Sequence, residues 1–228
     1  MPPSLLRCPR FDDTYFNAQD GLAEKDYVYV RGNDLPARWA VGEGLVIAEL
    51  GFGVGLGMLA TALAWQAGGF VRAGYRLQFT SIEGHPLPRQ ALQDIYQHWP
   101  LLQHNLDLAW LNDWPAAGPE NESTTDLTFS PAPGMMVQVL VGEVATRLAA
   151  VPAGIEAWYL DGFAPAKNPA MWGPAVWAAL ATRSAPGATA STYSVARVAK
   201  DGLTTAGFTW AKHPGFGHKA EMLRARRG

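Results

Sequence analysis

Short apolar runs alternate along this chain with longer segments of helical spacing. LVIAEL (45–50), LQFTSIE (77–83), MMVQVLV (135–141), IEAWYLD (155–161) and ATASTYS (188–194) predict strands. They are rich in β-branched, aromatic and aliphatic side chains. Between them, MLATALAWQ (58–66), PRQALQDIYQHW (88–99), VATRLAAV (144–151) and PAVWAALATR (174–183) predict helices. Another helix is expected after residue 194. FTWAKH (208–213) and EMLRAR (221–226) then predict an antiparallel hairpin at one edge, which brings the expected sheet to seven strands. Alternation of this kind implies an α/β fold, a mostly parallel sheet with helices on both faces.

Residues 11–40 precede the first core strand, and YVYV (27–30) reads there as a short alternating strand. Residues 1–40 are therefore expected to form an N-terminal arm or hairpin packed on a core of 41–228. The stretch 112–134 is rich in Pro, Gly, Ser, Thr and acids and reads as a loop.

Composition narrows the setting. Hydrophobic residues make up 48% and charged residues 17%, which allows a sizeable core. A single cysteine, Cys8, excludes an internal disulfide and makes a reducing cytoplasm the expected compartment. The opening MPPSLLRCPR lacks the apolar stretch of a secretory signal. Residues 45–65 approach membrane-span length, but Glu49 and four glycines interrupt them, so a strand, a glycine turn and a helix are expected instead. The net charge of −2 conceals −8 over 1–182 and +6 over 183–228. That basic quarter either faces an anionic partner such as nucleic acid or is a solvated face.

Candidate chemistry begins at ELGFGVGLG (49–57). Glycines on alternate positions let the backbone turn sharply and approach a ligand with no Cβ in the way. The dinucleotide pattern G-x-G-x-x-G fails in both registers, because its third glycine falls on Leu56 or Met58. The pattern acid-x-G-x-G-x-G, through Glu49, Gly51, Phe52, Gly53 and Gly55, resembles motif I of class I, Rossmann-like S-adenosyl-L-methionine methyltransferases. That resemblance implies that Glu83, ending the second strand, grips the ribose hydroxyls of the donor. It also implies that Gly142 and Glu143, past the third strand, lie on the adenine side; Glu143 alternatively caps the helix that follows.

LDGFAPAKNPAMW (160–172) at the end of the fourth strand is similar to the signature of the methyltransferase domain of the tRNA wobble-uridine modification enzyme MnmC. FDDTYFNAQDGLAEKDYVYVRGNDLPARW (11–39), ELGFGVGLG, SIEGHPLPRQAL and AGFTWAKHPGFGHKAEML (206–223) resemble that family in the same order. The chain departs from it with Glu143 in place of Asp, Gly57 in place of Asn, and VARVAKD (195–201) where the family tends to read Ser-Ala-Gly-Phe-Val-Arg-Arg.

The resemblance implies methylation of the aminomethyl nitrogen on 5-aminomethyl-2-thiouridine at the tRNA wobble position, after upstream enzymes have installed the aminomethyl group. The sequence stops where the family's bifunctional members continue into a flavin-dependent oxidase, so it is not expected to remove the carboxymethyl group itself. Asp161 is expected to orient the acceptor nitrogen, with the identity of the proton acceptor left open. Phe163 and Trp172 are expected to stack on the uridine of the anticodon region, Tyr159 to be core, and Asn168 to contact substrate. Lys167 touches phosphate or is solvated. Lys212, His213, Lys219, Arg224, Arg226 and Arg227 are candidates for RNA-backbone contacts. No metal is expected, since the five histidines show no ligand spacing. The competing classes are a methyltransferase for another amine, a nicotinamide-dependent oxidoreductase and a non-catalytic tRNA-binding module.

Overall fold

The computed structural model describes residues 7–17, 19–41, 45–70, 74–117 and 125–228. The readings of 1–6, and of 118–124 within the polar stretch, lie outside them. Five parallel strands form the centre: β3 (Val46–Leu50), β4 (Leu77–Glu83), β6 (Met135–Val141), β7 (Ile155–Leu160) and β8 (Ser184–Thr192). Three antiparallel strands complete the edges: β5 (Leu127–Phe129) on one side, and β9 (Phe208–Pro214) with β10 (Glu221–Arg227) on the other. The order is β5-β6-β4-β3-β7-β8-β10-β9, eight strands among the described residues.

Why the sheet is covered on both faces follows from its side chains. Ile47, Phe79, Val137 and Tyr159 join one buried cluster, while the alternating Ala48, Ile82, Leu140 and Trp158 join another. Successive side chains on a strand point to opposite faces, so each central strand needs cover on both. α3 (Leu56–Ala67) and α4 (Arg89–Tyr96) cover the first face. α6 (Val144–Arg147), α7 (Pro174–Arg183) and α8 (Arg197–Thr205) supply side chains to the second. A short helix, α5 (Pro100–Asn105), follows α4 and adds Leu102 to the first cluster.

The arm begins with a small antiparallel hairpin, β1 (Arg7–Cys8) and β2 (Asp13–Thr14). Next comes α1 (Gly21–Lys25), whose N-cap Asp20 accepts a hydrogen bond from the Ala23 amide. It runs directly into a π turn (Asp26–Val30), and α2 (Leu35–Ala40) follows.

Two expectations need correction. YVYV is not a strand but the π turn: the Arg31 amide bonds the Asp26 carbonyl at 2.9 Å, an i→i+5 closure. Four alternating residues are too few to compete with the wide stripe that buries Val28, Tyr29 and Val30 together. Among the described residues the sheet has eight strands rather than seven, because Leu127–Phe129 pairs with β6 inside the stretch read as loop. Three residues carry no readable period. Phe129 is held by stacking on Trp110, with ring centroids 4.3 Å apart and planes 8° apart. Residues 45–65 form β3, a loop and α3, and no helix among the described residues is long and apolar enough to cross a membrane.

Candidate active site

Strand order reverses beside β3: the chain moves outward through β4 and β6, then returns to lay β7 on the other flank. Open α/β sheets place ligands at such a switch point, outside the carboxyl ends of the strands. A cleft of about 910 Å³ opens there, near the top of the roughly 300–1,000 Å³ typical of ligand pockets. Gly51 after β3, Glu83 ending β4, Glu143 after β6 and Asp161 after β7 all line it.

The loop after β3 needs its glycines. Gly51 has φ +91°, and a Cβ there would lie 2.8 Å from the Asp161 carbonyl oxygen. Gly53 has φ +56°, and its missing Cβ would face Tyr15 at 3.4 Å. Glu83 ties this loop down: one carboxylate oxygen accepts from the Gly53 amide and the other from the His85 amide, both at 2.7 Å. Burial pushes the Glu83 carboxyl pKa up, and these two bonds oppose the push. On the far side of the same strand edge, His85 Nε2 lies 3.3 Å from Glu143 Oε1.

Asp161 meets two partners from the arm. The Tyr29 hydroxyl donates to Oδ1 at 2.7 Å, and Lys25 Nζ donates to Oδ2 in an ion pair. The side chains of Lys25 and Asp161 are only 7% and 9% exposed, yet both border the cleft. Burial raises the Asp161 pKa, while Lys25 and Tyr29 act to lower it. Lys25 and Tyr29 stand four residues apart, which brings them to one face of a helical segment. Their spacing was the available signal, and reading YVYV as a strand concealed it.

Around this pair, Phe163 packs on Phe11 and Tyr15, with centroids 5.1 and 5.4 Å away. The Ala164 amide donates to Asp13 Oδ2 at 3.0 Å, joining the loop after β7 to the arm's hairpin. Lys219 Nζ sits 3.5 Å from the centroid of the Tyr193 ring, and desolvation there lowers its pKa. Phe163, Asn168 and Lys219 line the cleft together, as do Phe11, Tyr15, His85 and Tyr193, which sequence reasoning did not single out.

Other expected site residues stand elsewhere. Glu49 is 1% exposed and points away from the cleft lining, accepting from Ser81 Oγ at 2.7 Å. Its pKa is raised well above the carboxylate range, chiefly by burial. Phe52 borders the cleft, but its ring is buried on Trp114 at 5.0 Å. Gly142 lies outside the lining, and its amide bonds the Glu83 carbonyl at 2.9 Å.

Lys167 donates to the Asp12 carbonyl oxygen and lies 3.8 Å from Asp13, so it pins the hairpin instead of lining the cleft. Lys212 pairs with Glu221 at 2.8 Å across the edge hairpin, away from the cleft. Trp172 is 3% exposed, packs with Trp177 and donates to the Phe163 carbonyl at 2.9 Å. It supports the loop from beneath and is not a stacking face. Trp172→Ala is expected to cost about 3–5 kcal/mol of stability through the cavity it leaves. Chemical denaturation read beside substrate KM checks this; a raised KM at unchanged stability would restore Trp172 to the binding surface.

A glycine loop beside a reversal of strand order is where open α/β sheets bind their ligands, nucleotides among them. The family model described as S-adenosyl-L-methionine-dependent methyltransferase matches residues 92–228, and the chain belongs to that family. Its methyl donor is therefore S-adenosyl-L-methionine. Among relatives, the tRNA 5-methylaminomethyl-2-thiouridine biosynthesis bifunctional protein MnmC of Stutzerimonas stutzeri is 41% identical over 223 residues. That match covers 96% of this chain and 33% of the relative. The protein of the same name from Caulobacter vibrioides is 42% identical over 227 residues, covering 100% and 36%. The chain thus spans about a third of the length of the curated relatives it matches. In fold it is similar to the crystal structure of MNMC2 from Aquifex aeolicus, with a TM-score of 0.67 and 19% identity over 94% of this chain and 64% of that one.

Proposed function

We propose that this chain transfers a methyl group to the nitrogen of the 5-aminomethyl group on wobble (2-thio)uridine in tRNA, giving the 5-methylaminomethyl nucleoside. The observation that carries the reading is Asp161, a buried acid at the cleft edge beside the glycine loop, backed by the likeness to the MnmC proteins.

The residues of the cleft fit the donor. Gly51 and Gly53 leave a backbone cradle where a side chain would intrude, and Glu83 presents a carboxylate with lone pairs to spare. When bound, the donor supplies a sulfonium-activated methyl group. The protein's task is then alignment, because an in-line displacement gains most from holding its two atoms in register. Asp161 accepts a hydrogen bond from the acceptor nitrogen and aims its lone pair. Phe163, with Phe11 and Tyr15 behind it, offers a face for a base drawn out of the anticodon stack. Asn168 and Lys219 border the same side and supply polar contacts to the nucleotide. The upstream partner is whichever enzyme installs a primary amine on the uridine.

Glu83→Ala is expected to weaken binding of S-adenosylhomocysteine about 10–100-fold, since hydrogen bonds to a charged group are worth about 1.5–3 kcal/mol. Calorimetric titration checks it, and unchanged affinity would remove Glu83 from the donor site. The function itself is tested by methyl transfer to tRNA carrying aminomethyluridine. Transfer to small amines but never to that tRNA would overturn the RNA reading in favour of another amine acceptor.

A further inference from the structure

A buried acid next to an amine creates a difficulty for the reaction. The acceptor reaches the site mostly as an ammonium and must release one proton before its lone pair can attack. An isolated carboxylate a few ångströms away would stabilise the ammonium, raising its pKa by about 1–3 units. The arm answers this with Lys25, whose ammonium shares the same small, nearly dry space as Asp161.

We propose that Lys25 is a positioning residue for methyl transfer: its charge cancels that of Asp161, so the carboxylate aims the incoming amine without holding it in the ammonium form. The inference rests on the amine-acceptor reading above. Lys25 has no other ion-pair partner among the described residues, and its Nζ stands 5.4 Å from the centroid of the Tyr29 ring. Tyr29 binds the other oxygen, so the carboxylate plane is held at both ends. Each oxygen keeps a lone pair for the acceptor N–H.

The remaining ionisable groups around Asp161 come from every neighbouring element. Glu24 lies on α1 beside Lys25, Asp13 on β2, Tyr193 after β8, and Lys219 between β9 and β10. Glu49 sits behind, on β3. Lys219 is held over Tyr193 and makes no ion pair with Asp161 among the described residues, so Lys25 is the cation in contact with it.

The substrate ammonium gives one proton to solvent; the freed lone pair forms the N–C bond; the C–S electron pair stays on sulfur, which leaves as a neutral thioether. The product departs as a secondary ammonium.

The test compares wild type with Lys25→Met, Lys25→Gln and Lys25→Arg. Thermal melting and S-adenosylhomocysteine titration show which variants are folded. The Gln variant, uncharged but still a hydrogen-bond donor, replaces Met should Met not fold. The first readout is kcat, taken as the single-turnover rate at saturating donor and tRNA between about pH 6 and 10, because kcat reports ionisations in the enzyme–substrate complex. Loss of the charge is expected to move the acid limb upward by about one unit or more, with at least a tenfold loss at neutral pH that closes at high pH. Arg should keep the wild-type limb. An equal loss at every pH would overturn the proposal.

The second readout needs no substrate: carboxyl ¹³C titration of Asp161, assigned with Asp161→Asn. Its midpoint should rise when Lys25 loses its charge and return in Lys25→Arg. An unmoved midpoint would also overturn the proposal. Wild-type protein that never methylates the tRNA would instead overturn the acceptor reading, and the amine role with it, while the carboxyl titration would still judge the pairing.

Discussion

Asp161→Asn is expected to lower methyl transfer to tRNA by roughly a hundredfold, the size of loss that about 1 Å of misplacement of a reacting group causes. Donor affinity should stay within a few-fold, because the amide keeps the shape of the carboxylate and the Gly53–Glu83 anchor is untouched. Asparagine still accepts from Lys25 through its oxygen, but it removes the counter-charge of a side chain only 7% exposed. Breaking a buried pair in this way typically costs about 3–5 kcal/mol, so the assay belongs well below the melting temperature of the variant. Single-turnover rates at saturating donor separate the two effects. A variant that melts early yet transfers methyl at the wild-type rate would show that Asp161 is structural, and would remove the central group from the proposed mechanism.

Gly51→Ala is expected to abolish measurable donor binding. The residue combines a left-handed φ of +91° with a Cβ position 2.8 Å from the Asp161 carbonyl oxygen. A left-handed backbone costs a residue with a Cβ about 1–2 kcal/mol. The contact is with backbone, which cannot rotate aside as a flexible side chain can. Relief therefore requires the loop after β3 and the loop after β7 to separate, which moves Asp161 away from the glycine cradle. Both substrates lose their alignment in one change. Calorimetry with S-adenosylhomocysteine and a melting curve check this together; full affinity in a folded variant would show that the two loops are not packed as described. Gly53→Ala serves as the contrast, because its Cβ would meet only Tyr15 at 3.4 Å, although at a left-handed φ of +56°.

Which parts of this were legible beforehand has a physical pattern. β4, β6 and α7 occupy the residues their apolar runs predict, because each is long enough to show a period and is closed by turn residues. The glycine loop was legible because strained backbone restricts residue type. β5 was not, since three residues in a polar stretch have no period to read, and only its pairing with β6 and the Trp110–Phe129 stack define it.

Side-chain direction was the larger gap. Glu49 and Glu83 both lie at carboxyl ends of neighbouring strands, yet one is sealed against Ser81 while the other lines the cleft. Trp172 looked like a loop aromatic and proved to be the floor of that loop, because α7 brings Trp177 against it.

Local chemistry along the chain was enough to settle the α/β class, the glycine turn and the acid that ends the fourth strand, since all three follow from spacing and backbone sterics within one short segment. The pairing of Lys25 and Tyr29 with Asp161 joins residues more than 130 positions apart. It exists only because α1 and the π turn pack beside α3 and bring the arm over the end of β7. Long-range packing of that kind, governed by which face of the sheet is left to cover, decided where the charges of the site meet.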